Sequence, residues 1–291
     1  MKKPLVGIIG LGQMGLPMAG NLLAAGHPVL GLDALPDQTR ALADQEGYRP
    51  AENLAAMAAA QVVILMLPNS DIVDDVLWSQ GLAASLPAGT LVIDMSSSNP
   101  TRTHANAERL EQAGLAFVDA PVSGGVKRAK EGKLAIMMGG PDDAVARARP
   151  VLEALGTTLV HVGGAGSGHA IKALNNYISA SGLLAVSEAM AAAQRFGIDP
   201  HVANQVFNAS SGKNSATEQK VEQFMLSGTY ASGFALALMR KDLETALGFM
   251  AQMRTPTAFA SSCVDIWRDA EANLPARSDH TTIYRYVQEG G

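Results

Sequence analysis

Short apolar runs alternate with amphipathic stretches through the first half of the chain, and then the runs stop. Residues 5–9, 29–33, 61–67, 91–94, 115–119, 134–138 and 158–162 each read as a strand buried in a sheet, and helical patterns fall between them. Strands alternating with helices predict an α/β domain with a doubly wound, parallel-rich sheet, a Rossmann domain. The glycine-rich run 163–168 is the clearest break, so the expected domains are 1–163 and 164–291. Beyond it the patterns are helical, over 168–196, 199–209, 215–226, 233–253 and 256–272. Asp199 before Pro200 is an N-cap followed by proline at the first helical position, a firm helix start. The second domain is therefore expected to be all-α.

Composition narrows the class. At 291 residues, 47% hydrophobic and 17% charged, the chain suits two ordinary globular domains. A net charge of −5 gives no reason to expect nucleic acid or an anionic membrane as partner. The single cysteine, Cys263, excludes an internal disulfide and a cysteine-built metal site, and the six histidines show no ligand spacing, so no metal is expected. A strand begins almost at residue 1, and no uncharged apolar run approaches membrane-spanning length. A cytoplasmic protein is the expectation.

The first strand runs directly into Gly10-Leu11-Gly12-Gln13-Met14-Gly15, and an alanine- and leucine-rich helix follows. The second strand ends in Asp33. Gly-x-Gly-x-x-Gly alone is a weak signal, but between strand and helix, with an acid about twenty residues on, it meets the context of a dinucleotide site. Gly10 makes the tight turn, Gly12 admits a pyrophosphate to the backbone, and Gly15 lets helix and strand pack. The helix start supplies N–H groups and partial positive charge. Asp33 is placed to accept from the adenosine ribose hydroxyls and to repel a 2′-phosphate, which favours NAD over NADP. Leu67 and Pro68, Ser96 and Ser97, and Ser123, Gly124 and Gly125 all follow strand ends, where ligands of such sheets collect. Asn99 before Pro100 reads as a helix cap.

In the second half, Gly168, Lys172 and Asn176 recur every four residues and so share one helix face. A lysine and a carboxamide one turn apart are suited to protonating or hydrogen-bonding an oxygen. Phe234 reads as a core or cofactor-packing aromatic, and Asp242 as either an ion-pair partner of Lys241 or a solvent-facing acid. His169, next to the site in sequence, points about 100° away from Gly168 on a helix.

With the fingerprint, the run Asp119-Ala-Pro-Val-Ser-Gly-Gly125, the Gly168, Lys172 and Asn176 series, and Lys241-Asp242-Leu243 all in place, the chain resembles the β-hydroxyacid dehydrogenases. These are the group of 3-hydroxyisobutyrate dehydrogenase and tartronate semialdehyde reductase, and the likeness covers essentially the whole chain. The resemblance implies a Rossmann domain followed by an all-helical one, with the active site in the cleft between them. It implies Lys172 as catalytic lysine with Asn176 beside it, and Ser123, Gly124 and Gly125 as the substrate-carboxylate loop. Lys241 would lie near cofactor and substrate, Leu67 and Pro68 in the cofactor loop, and Ser97 where many members have threonine.

The residues agree with that expectation chemically. Oxidising an alcohol needs a hydride acceptor and a group that takes the hydroxyl proton, and a lysine with a lowered pKa can be the second. The expected activity is NAD-dependent oxidation of a small 3-hydroxy acid, or the reverse reduction of a semialdehyde such as tartronate semialdehyde. Imine reduction and a non-catalytic dinucleotide-binding module are the alternatives. Lys172 argues against the first, and Lys172, Asn176 and Ser123 together argue against the second. A small carboxylate is the expected partner, in a homodimer or homotetramer.

Overall fold

The computed structural model describes residues 3–290. The chain divides into two compact units, Met1–Lys172 and Ala173–Gly291, and the division falls within one long helix, Ser167–Phe196. The glycine-rich run 163–168 joins the last strand to the start of that helix.

The first unit is built on one sheet. Its strands are β1 (Val6–Ile9), β2 (Val29–Leu32), β3 (Tyr48–Pro50), β4 (Val62–Leu65), β5 (Leu91–Asp94), β6 (Ala116–Asp119), β7 (Val122–Ser123), β8 (Leu134–Gly139) and β9 (Gly156–Gly163). They lie in the order β3-β2-β1-β4-β5-β6-β8-β7, with β9 also paired to β8. The pairings from β3 through β6 are all parallel, the Rossmann order with its reversal between β1 and β4. β8 runs antiparallel to β6 and β7, and parallel to β9.

Period-two alternation within each short strand divides two cores between the sheet's faces. Ile8, Ile64 and Ile93 join Met18, Leu22 and the helix Asp142–Leu152 on one side. Ile9, Val63 and Val92 join Met57, Leu77 and Leu110 on the other. A strand covered on both faces has no polar positions to spare, which is why these runs read as continuous apolar segments. β3 and β7 lay outside the expected strands. Both are very short, and β3 is a polar edge strand ending in proline, so neither has a periodic pattern to betray it.

The second unit is helical, with Leu183, Met190, Leu243, Val264, Trp267 and Ile283 in its core. Its boundaries correct the expectation in three places. The helix expected over 233–253 spans Leu236–Gln252, because the Asp279 carboxylate claims the N–H groups of Gly233 and Phe234 and holds that segment extended. The helix expected over 215–226 is interrupted at Lys220, whose carbonyl accepts from both Phe224 and Met225 as the chain widens into a π-type turn. A final helix, Ile283–Glu289, was not expected, and it buries Ile283 and Tyr284. Among the described residues no helix is long and apolar enough to cross a membrane.

His280 sits in this unit against Phe234, ring centroids 5.7 Å apart and edge-on. Burial, with Lys220 adding to it, holds the imidazole pKa down at about 4, against an ordinary 6.5. Because the folded value is the lower one, the unfolded chain takes up this proton first as pH falls. The contribution to stability is therefore full above about 6.5 and is lost as pH falls from there towards 4. A difference of this size amounts to about 3 kcal/mol. Unfolding free energy measured from pH 7 to 4 should decline in the native protein and decline less steeply in His280→Gln; equal slopes would remove this histidine as the cause.

Candidate active site

The three fingerprint glycines meet three different demands. Gly10 leaves β1 at φ +97°, and a Cβ there would strike the Met66 carbonyl. A Cβ at Gly15 would run into the carbonyl oxygen of Gly10 itself, so the helix Gly15–Ala24 starts tight against the turn. Around Gly12, apart from its own chain neighbours, nothing among the described residues lies within 4 Å of where a Cβ would be, and the residue is exposed. That open space is where a ligand can meet backbone. The helix start carries no acidic residue and no capping side chain, which leaves its positive end for an anion.

Next to this turn lies a cavity of about 760 Å³, lined among others by Gly10, Gly12, Asp33, Leu54, Leu67 and Pro68. It opens at the β1–β4 reversal, where such sheets bind ligands. The half-buried Asp33 is held in place: its Oδ2 accepts from Leu11 N–H at 2.7 Å and its Oδ1 from Leu35 N–H at 2.9 Å. Each carboxylate oxygen keeps lone-pair capacity for a further donor, such as a ribose hydroxyl. Gln13 is exposed and Met14 half-buried between the second and third glycines. A dinucleotide fits this set: a turn with room over Gly12, an unfilled helix start, and a fixed carboxylate one strand away.

The loops after β4 and β5 are tied to each other. Leu67 N–H donates to Ser96 Oγ at 3.0 Å, and Ser96 N–H and Ser98 Oγ donate to the two oxygens of buried Asp94. Asn99 caps the helix Pro100–Gln112 as expected, accepting from Thr101 and Arg102. Ser97 sits half-buried between these two anchored neighbours. Ser123 ends β7, and Gly124 and Gly125 follow at φ +131° and +65°, a pair of left-handed conformations that only glycine takes readily. A Cβ at Gly124 would also collide with the Arg128 side chain, whereas the space at Gly125 is open.

His169, read from sequence as pointing away from the site, knits these loops to the helix that carries Lys172. It is fully buried, with Nε2 3.0 Å from the Ser96 carbonyl and Nδ1 3.0 Å from Thr103 Oγ1. A carbonyl only accepts, so Nε2 donates to it. Asp119 completes the junction by accepting from Gly166 N–H and His169 N–H, both at 2.8 Å. Burial pushes the Asp119 carboxyl above its ordinary range, against the pull of His169 and of those two donors. Gly168 is a glycine because a Cβ there would strike the Met137 carbonyl and Asp119. Its close neighbour is protein backbone.

On the same helix Lys172 follows one turn after Gly168 and Asn176 one turn later. Lys172 is half-buried. Asn176 is buried, and its Nδ2 donates to Asp242 Oδ2 at 2.6 Å, a partner that fixes which way the amide faces. Asp242 is buried too, with its Oδ1 3.4 Å from Lys241 Nζ. Asp242 is therefore the carboxylate between Lys241 and Asn176, settling the choice left open by sequence. Spacing alone could not find the pairing, because Asn176 and Asp242 are 66 residues apart. Phe234 lies ahead of the helix Leu236–Gln252, not on it, half-buried against the second unit's core.

A nucleotide turn at the reversal of a Rossmann sheet, joined to a helical unit through a helix bearing lysine and carboxamide, defines a class: dinucleotide-dependent oxidoreductases. Known proteins agree. Residues 5–163 match the family model described as the NAD binding domain of 6-phosphogluconate dehydrogenase. Residues 166–287 match that described as NAD-binding of NADP-dependent 3-hydroxyisobutyrate dehydrogenase. The chain belongs to the β-hydroxyacid dehydrogenase family. It is 34% identical to 2-(hydroxymethyl)glutarate dehydrogenase of Eubacterium barkeri, over 98% of this chain and 95% of that one. It is 33% identical to 3-sulfolactaldehyde reductase of Escherichia coli K12, over 97% and 95%. The structure of Mycobacterium tuberculosis 3-hydroxyisobutyrate dehydrogenase with L-serine superposes with a TM-score of 0.91 at 32% identity, covering 98% of this chain and 99% of that one.

Proposed function

We propose that this protein oxidises a small 3-hydroxy carboxylic acid of the 3-hydroxyisobutyrate type to its aldehyde or keto acid, or runs the reverse reduction, using NAD in preference to NADP. The observation that carries the reading is Asn176: a buried carboxamide, locked by Asp242, one helical turn from Lys172. A helix built only for packing has no use for that arrangement. The similar proteins, two dehydrogenases and a sulfolactaldehyde reductase, support both directions on one scaffold.

In this reading the turn of Gly10, Leu11, Gly12, Gln13, Met14 and Gly15 holds the diphosphate, and Asp33 the adenosine ribose. Leu67, Pro68, Ser97 and Phe234 would help to hold the cofactor. The dinucleotide, when bound, supplies the hydride acceptor or donor. Lys172 takes the substrate hydroxyl proton in oxidation and returns it in reduction, and Asn176 orients that hydroxyl. Ser123 and the N–H groups of Gly124 and Gly125 hold the carboxylate, with Lys241 beside them. Asp33 favours NAD because a carboxylate repels a 2′-phosphate and no cationic residue follows it in the chain until Arg40. The free, buried Cys263 suits a reducing cytoplasm. Exposed Ile178, Phe196 and Phe259 suit assembly into a homodimer or homotetramer.

The test is absorbance at the NADH band with a panel of 3-hydroxy acids, each with NAD and with NADP. Turnover with 3-hydroxyisobutyrate-like acids, faster with NAD, is the expected result. Cofactor binding without turnover of any hydroxycarboxylate would leave only the dinucleotide-binding module.

A further inference from the structure

Lys220 takes no part in the reading above, yet it is an unusual lysine. It stands where the helix Ser215–Gln219 gives way to the π-type turn Val221–Leu226, a backbone irregularity that recurs at functional sites. The side chain is half-buried, and its Nζ reaches one hydroxyl, donating to Ser179 Oγ at 3.4 Å. Among the described residues no carboxylate lies within ion-pair distance of it. Asp279 attracts it from further off, but that carboxylate already accepts from Ser232, Gly233, Phe234 and Thr281. Burial lowers the Lys220 pKa to about 8, against the pull of Asp279, which still leaves most of the amine charged at neutral pH. A half-buried cation with one weak hydroxyl contact is stabilised by whatever anion reaches it.

The place of Ser179 says which anion that is. Ser179 follows Lys172 by seven residues on the Ser167–Phe196 helix, about 20° short of two full turns and about 10 Å along the axis. It follows Asn176 by three residues. The hydroxyl that holds Lys220 therefore lies on the stripe of Lys172 and Asn176. A substrate whose hydroxyl meets Lys172 has its far end directed along this stripe or away from it. We infer that Lys220, with Ser179, is a specificity-determining pair that receives a second anionic group, a carboxylate or sulfonate, borne on the substrate's side chain. The inference rests on the hydroxyacid reading given above.

The experiment compares two 3-hydroxy acids differing at that far end, 2-(hydroxymethyl)succinate with a distal carboxylate and 2-(hydroxymethyl)butanoate with a methyl in its place. The native enzyme should favour the dianion. Lys220→Met should raise KM for the dianion by about tenfold or more, leaving kcat and the monoanion's constants within about twofold. Lys220→Arg should restore part of the difference. No preference in the native enzyme, or equal losses on both substrates in Lys220→Met, would overturn the assignment. Calorimetric titration of 2-(hydroxymethyl)succinate into native and Lys220→Met protein separates this from the parent reading. Binding lost in the variant while the native protein turns over neither acid would keep the anion site and discard the dehydrogenase.

Discussion

Replacing Lys172 by alanine should lower kcat by about 10²–10⁴ while NADH binds with near-native affinity. The side chain lies three residues beyond His169, where the helix is already fixed to the sheet through Asp119, Ser96 and Thr103. Truncation at this point removes the amine and leaves the nucleotide turn at the other end of the unit's chain untouched. The loss should fall on kcat, because in the proposed function the proton is transferred in the chemical step and other groups hold the carboxylate. Added small primary amines should recover part of the rate, a response that a purely structural lysine would not give. Fluorescence titration of NADH, with single-turnover absorbance, separates binding from chemistry. Turnover near the native value in Lys172→Ala would end the acid–base assignment.

The second large effect is expected from a pair of glycine substitutions. In Gly15→Ala the new methyl meets the Gly10 carbonyl, so turn and helix must separate. Overpacking of this kind costs about 1–3 kcal/mol of stability. NAD affinity should fall about tenfold or more as the diphosphate seat opens. In Gly12→Ala the methyl enters open space, so the melting temperature without cofactor should hardly move. NAD affinity should still fall, because the proposed function puts the diphosphate in that space. Melting curves with and without NAD read both quantities. A Gly12→Ala protein that binds NAD normally would show that the diphosphate lies elsewhere.

Asp94, Asp119 and Asp242 show why some of the site escaped sequence reading. Each is a carboxylate buried among donors, and each looked from sequence like a strand end, a motif letter or a surface acid. Lys220 was hidden for the same reason, since what distinguishes it is the lack of a nearby carboxylate, and distance is not written in spacing. The partners of His169 were not legible because helical geometry says which way a side chain leaves its helix. It does not say which loop lies there to meet it.

Sequence alone determined the parts whose physics is local. These are the buried strands with their continuous apolar runs, the glycine turn into an uncapped helix, Asp33 at the end of the second strand, and the four-residue recurrence of Gly168, Lys172 and Asn176. Tertiary structure alone decided how those parts are held. It drew Gly233 and Phe234 out of a helix by giving their N–H groups to Asp279, and it set the direction of the Asn176 amide through Asp242. The reason is the same in each case. Backbone periodicity is fixed by neighbours a few residues away, whereas a buried donor or charge must be satisfied by whatever partner the fold brings to it, however distant along the chain.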